Sequence, residues 1–162
     1  MNNVKLIDTV LLNQTTAAAQ SSPRRRKNHN FHPTDEFPAH RLLNAVEPDS
    51  YIAPHRHLGP VMDETLIVLR GALGLFIFDA AGQIEQIAVL RPQGECVGAD
   101  IPRGTWHAAL ALENGTLFFE AKAGPFAPLT ADERAPWAPQ EGDAAAPAYL
   151  EKLRGMLAKA GS

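Results

Sequence analysis

Residues 64–79, ETLIVLRGALGLFIFD, decide the fold class. They read as two short runs rich in Leu, Ile, Val and Phe, parted at Gly71 and closed by Asp79, which is how strands bounded by turn residues look in a sequence. Working outward, the same texture extends from Arg41 to Lys122. RLLNAV and SYIAPHRH precede the pair; IEQIAVL, HAALAL and TLFFEAK follow it. Turn chemistry separates the runs at Glu47-Pro48-Asp49, Ala81-Gly82, Arg91-Pro92-Gln93-Gly94, Pro102-Arg103-Gly104 and Asn114-Gly115, the last of these a hairpin signal. A run roughly every ten residues predicts an all-β sandwich or small barrel.

Outside this block the texture changes. Leu6, Ile7, Val10 and Leu11 precede the Ala17–Ala19 run, and Asp8 or Thr9 can cap a short amphipathic helix there. Pro23 stops that helix, and Arg24, Arg25, Arg26 and Lys27 then hold four of the fifteen basic residues. Residues 124–147 are rich in Pro and Ala without periodicity, and read as extended coil or a partly disordered tail. Leu150, Leu153 and Leu157 fall on one face of a terminal amphipathic helix. The predicted organisation is a helix and basic arm over 1–36, a barrel over 37–123, and a tail with a helix over 124–162.

The 162 residues, 17.5 kDa in mass, suit one domain that buries enough surface to fold without disulfides. A formal charge of −3 and a pI near 6.0 argue against a nucleic-acid partner. Cys96 is the single cysteine and reads as a small buried residue; together with an N-terminus lacking leader-like features it predicts a reducing, cytoplasmic setting. No apolar run approaches the roughly 18 residues of a membrane span.

The chemically loaded residues are His55, His57, Glu64 and His107. Alternation along an extended segment points His55 and His57 the same way, with Arg56 turned outward. A reversal through LGPVMD brings Glu64 back on a neighbouring strand, and the Pro102–Gly104 turn delivers His107, with Trp106 on the opposite face and Phe76 and Phe78 in the core. Three imidazoles and a carboxylate suit one divalent transition metal per chain: Fe, Mn, Ni, Cu or Zn.

The pattern His55-x-His57, Glu64, Gly71, then Pro102-x-Gly104-x-x-His107 resembles the paired motifs of the cupin superfamily, which implies a double-stranded β-helix, or jelly-roll barrel, with the two helices outside it. Read with SPRRRKNHNFHP, PHRH, DETLIVLRG and PRGTWHA, it is similar to the WbuC family of cupin-fold metalloproteins, associated with surface-polysaccharide gene clusters. That resemblance spans about residues 6–126. It implies a metal-bearing barrel and leaves the reaction open.

Two functions compete at this stage. One is a metal-dependent enzyme, an isomerase, epimerase or dioxygenase, acting on a sugar or another small anionic metabolite. The other is a non-catalytic metal-containing module that binds or senses a small molecule. A closed structural Zn site is a third reading of the same ligands. For anion binding the candidates are Arg25 and Arg26, whose guanidinium forks suit carboxylate or phosphate, with Asn28 and His32 beside them at the barrel mouth. His32 reads first as a hydrogen-bonded structural histidine, and His29 and His40 read as structural. Edge strands and exposed helix faces need cover, which predicts a homodimer.

Overall fold

The computed structural model describes residues 4–160. Eight strands follow helix α1 (Thr9–Ser21): β1 (Arg26–Asn30), β2 (Ala39–Val46), β3 (Glu64–Arg70), β4 (Leu73–Phe78), β5 (Ile84–Leu90), β6 (Gly98–Ile101), β7 (Trp106–Ala111) and β8 (Thr116–Ala123). A short 3₁₀ turn (Ala131–Glu133) and helix α2 (Ala146–Ala160) complete the chain. Every ladder is antiparallel, in a five-stranded sheet ordered β1-β2-β8-β3-β6 and a three-stranded sheet ordered β5-β4-β7. From β3 onward the chain keeps crossing between the sheets, so that they face each other as a jelly roll.

Those crossings correct one sequence expectation. Asn114-Gly115 joins β7 to β8, but β7 pairs with β4 while β8 pairs with β2 and β3, so the turn changes sheets instead of closing a hairpin. Gly115 takes a φ of +71°, a conformation glycine adopts freely, and its N–H donates to the buried Glu47 carboxylate at 3.0 Å. The first crossing uses Gly71 at φ +74°, where a Cβ would lie 2.5 Å from Thr116 Oγ1.

The alternation of each strand sorts its residues between two packed layers. Val46, Leu66, Val68, Leu73, Leu75, Leu90 and Phe118 face inward between the sheets. Phe76, Phe78, Trp106 and Leu110 face out of the three-stranded sheet and are buried under Leu150, Leu153 and Leu157 of α2. A Cβ on Gly74 would come within 2.4 Å of Leu157, so this glycine lets the helix sit close. The apolar face read in the C-terminal helix therefore packs on its own barrel.

Helix α1 is capped by Asp8, whose Oδ1 accepts the Leu11 N–H at 2.9 Å. Its buried residues are small, Thr15, Thr16 and Ala19, set against Leu43, Ala45 and Leu117 on the outside of the larger sheet. Val10, expected on its apolar face, stays exposed because the helix approaches the sheet on its threonine and alanine side, and Leu6 and Ile7 precede the helix and are exposed, as is Val4.

Three further segments differ from their sequence reading. The basic arm enters the fold: β1 adds an edge strand to the larger sheet by pairing with β2, Asn28 opposite Asn44. SYIAPHRH forms no regular strand. Only His55 bridges, exchanging backbone hydrogen bonds of 2.9 and 3.0 Å with His107, since Pro54 has no N–H to donate. The Pro/Ala-rich tail is packed instead of loose: Ala135 N–H donates to Pro54 O, Arg56 N–H donates to Glu133 O, and Ala135 is fully buried. Cys96, read as buried, is exposed in the β5–β6 connection.

Candidate metal centre

Three segments bring the four predicted ligands to one end of the barrel. His55 and His57 come from the segment before β3, Glu64 from the start of β3, and His107 from β7 on the opposite sheet. One ring nitrogen from each of the three histidines lies within 4.8 Å of the others. Glu64 closes the group, with Oε1 2.9 Å from His107 Nε2 and Oε2 3.3 Å from His57 Nε2.

Hydrogen bonds set which nitrogens face inward. His55 Nδ1 lies 3.0 Å from Ala53 O and His107 Nδ1 lies 3.0 Å from Thr105 O. A carbonyl only accepts, so each Nδ1 carries a proton and each Nε2 is the nitrogen turned to the cluster, that of His107 toward the Glu64 carboxylate. His57 Nε2 is buried with no hydrogen-bond partner, its contact with Glu64 being poorly aligned.

Electrostatics match this assignment. Burial, aided by His107, pushes the His55 imidazole down to about 3, so it is neutral at ordinary pH. Burial acts to raise the Glu64 carboxyl, but His107, His57 and the Lys122 ammonium outweigh it and keep Glu64 ionised. For His107, burial is outweighed by Glu64 and the imidazole is raised.

These donors fit a divalent metal. Adjacent ligands on an ion with bonds of roughly 2.1 Å at right angles stand about 3 Å apart, close to the 2.9 and 3.3 Å seen between imidazole and carboxylate. The orphaned His57 nitrogen, in a protein where buried polar atoms are ordinarily paired, is the group such an ion would satisfy.

The centre is accessible from two sides. A cavity of about 340 Å³ has His55, Glu64 and His107 in its wall beside Arg26, Asn28 and Lys122. A second, of about 300 Å³, reaches His55 and His57 from the other side and is lined by Met62, Phe126 and Leu129.

The anion-binding candidates are divided by the fold. Arg26 and Asn28 lie on the first cavity. Arg26 is engaged by its neighbours, donating to Ser50 Oγ, Tyr51 O and Glu141 Oε2. Arg25 is turned away, bound to Asp49 at 3.0 Å and to Gln20 O. His32 is not brought to the metal cluster; it stacks on His40 at 3.9 Å and meets the Arg41 backbone through Nδ1, as a structural histidine does. Arg56 lies on Trp106 outside the barrel, 4.3 Å from its ring centre.

Sequence reading missed Lys122, Glu120 and Asn44. Lys122 Nζ lies 2.6 Å from Glu120 Oε1 and 3.8 Å from Glu64 Oε2, and Asn44 Nδ2 donates to Glu120 Oε2 at 2.6 Å. The signal was present in TLFFEAK: Glu120 and Lys122 share the parity of Phe118, which faces inward.

A two-sheet jelly roll with imidazoles and a carboxylate converging at one end is the cupin architecture. Within that class the chain belongs to the family described as "Domain of unknown function (DUF6016)", whose model matches residues 7–90 and so takes in His55, His57 and Glu64. No curated protein matches the sequence. Among solved structures, the chain is similar to TT1209 from Thermus thermophilus at 20% identity, covering 74% of this chain and 97% of that one with a TM-score of 0.52. It is also similar to KdgF from Halomonas sp., at 18% identity over 64% of this chain and 82% of that one, TM-score 0.50. SPY1581 from Streptococcus pyogenes, a protein of unknown function, aligns at 14% identity over 78% and 93%, TM-score 0.51. At such identities the likeness is one of fold.

Proposed function

We propose that this chain is a cupin that holds one divalent transition metal through His55, His57, Glu64 and His107 and acts there on a small anionic metabolite or sugar. One observation carries the reading: three clustered imidazoles and an ionised carboxylate meet where His55, Glu64 and His107 form the wall of a cavity that also presents Arg26 and Lys122. A bound divalent ion would supply Lewis-acid polarisation of a ligand carbonyl or a bound water of lowered pKa, the chemistry of isomerases and epimerases, and Fe(II) would add reaction with dioxygen. The chain's own residues fix the geometry. Ala53 O and Thr105 O hold two rings in register, and Glu64 is kept ionised. Access from two cavities favours an open centre over a closed structural Zn shell.

The wider setting is part of the same proposal. The WbuC resemblance supports a role in surface-polysaccharide biosynthesis in the cytoplasm. Exposed Val4, Leu6, Ile7 and Val10 support a homodimer that covers them. Among the described residues, no helix is long and apolar enough to cross a membrane.

Elemental analysis of natively purified protein, followed by turnover assays on sugar nucleotides and keto acids, tests the reading. Stoichiometric metal with turnover supports the enzyme. Stoichiometric metal with binding alone leaves the non-catalytic module, and absence of metal overturns the proposal.

A further inference from the structure

The barrel interior carries more charge than its metal ligands require. Lys122 and Glu120 project inward from β8, and Lys122 stands directly opposite Glu64 in the β3–β8 ladder. Burying an ion pair is expensive in desolvation, and a well-packed apolar pair usually holds a barrel as well or better. Their presence therefore calls for a role other than packing.

Placement and unused valence point to that role. The Lys122 side chain is 22% exposed and lines three cavities, the two flanking the metal centre and a third of about 310 Å³ beside Asn28, Asn30 and His32. Its ammonium has three donors. Glu120 Oε1 lies 2.6 Å away as an ion-pair contact without hydrogen-bond alignment, and Glu64, at 3.8 Å, is beyond hydrogen-bond distance. Glu120 is itself fixed through Asn44, so the ammonium is held in position with donors to spare.

The local charge selects the ligand. Glu64 and Glu120 against Lys122 leave one negative charge in excess; a divalent ion turns this into one positive charge, which a monoanion neutralises. Of the other cations in the cavity wall, Arg24 and Arg26 share the Glu141 carboxylate and Lys27 is exposed to solvent, so their positive excess adds to the attraction for an anion. We propose that Lys122 is the anion-recognition residue of the metal cavity, holding the carboxylate of a small monoanionic ligand beside His55, His57 and His107. This rests on the metal reading above and narrows its substrate class to hydroxy- or oxo-carboxylates.

The test compares glycolate with its neutral isostere glycolamide, by calorimetry, on the full chain with and without Co(II). The variant is Lys122→Met with Glu120→Gln, which removes both charges together so that neither is left buried alone; Lys122→Arg is the conservative control. Wild type should bind glycolate at least tenfold more tightly than glycolamide. The double variant should keep its thermal midpoint and Co(II) stoichiometry while the preference falls to within twofold, and Lys122→Arg should retain part of it. A preference that survives in the double variant, or wild type that binds the two probes alike or binds neither, overturns the proposal. If wild type takes up no Co(II) the metal reading fails, and with it the positive charge that the carboxylate answers, so both proposals are overturned; Co(II) taken up without a glycolate preference overturns the Lys122 proposal alone.

Discussion

The two ends of the barrel interior are built on the same strands and do opposite things. Along β3 the inward residues run Glu64, Leu66, Val68; along β8, in the reverse chain direction, Lys122, Glu120, Phe118; along β7, His107, Ala109, Ala111. One end is closed by Val68, Leu73, Leu90, Ala111 and Phe118, and the other is open and charged. Apolar burial at about 25 cal/mol per Å² supports the closed end, whereas the open end relies on hydrogen-bonded rings and ion pairs whose net contribution is small. A short strand can thus hold both stability and chemistry, provided it keeps them four residues apart.

The largest expected effect separates the two ends outright. His55→Ala with His57→Ala should reduce metal from stoichiometric to undetectable by elemental analysis, and abolish any metal-induced rise in thermal midpoint, since a ligand binding only the native state stabilises it by about 4 kcal/mol at a thousandfold excess over Kd. The metal-free midpoint should move little. Stoichiometric metal retained in this variant would break the comparison.

Leu73→Ala is the mirror experiment. Leu73 is fully buried at the closed end, so the variant should lose about 3 kcal/mol in urea unfolding and keep its metal stoichiometry. Loss of metal in the folded variant would show that the ends are coupled.

A smaller effect concerns the strap across the mouth, where Glu141 in the tail binds Arg24 and Arg26 in the arm. Hydrogen bonds from Arg24 and then Arg26 outweigh burial and lower the Glu141 carboxyl to about 2. A depressed carboxyl stabilises the fold above its unfolded value of 4.5 and loses that contribution as pH falls from 4.5 toward 2. Glu141 is 40% exposed and screened, so Glu141→Gln should cost about 1 kcal/mol at pH 7 and flatten acid unfolding across that window. An unchanged acid limb would show that the strap contributes nothing. The smallest effect sharpens the comparison by exclusion: exposed Cys96→Ser should stay within about 0.5 kcal/mol of wild type.

Local patterning made much of the architecture legible. Apolar runs of six to eight residues punctuated by Gly, Pro and Asn fixed six of the strands, because strand propensity and turn chemistry act over a few residues. The leucine face of α2 was readable for the same reason, and HxH, Glu64 and the glycine turn before His107 marked the residues that the fold gathers at one end. What was misread depended on partners far away in sequence. Nothing in RRRKNHN says that Arg26–Asn30 will pair with Ala39–Val46, or that Arg25 will turn to Asp49 while Arg26 meets Glu141. Asn114-Gly115 has the local form of a hairpin whichever sheet takes the next strand.

By itself, then, the sequence determined six of the eight strands, both helices and which side chains carry metal-binding donors, since propensity, alternation and donor chemistry belong to individual residues. Tertiary structure alone decided which ends of those strands meet. Only when β3, β7 and β8 are assembled do Glu64, His107 and Lys122 face one cavity, because the register of antiparallel ladders and the facing of two sheets are set by packing over the whole chain.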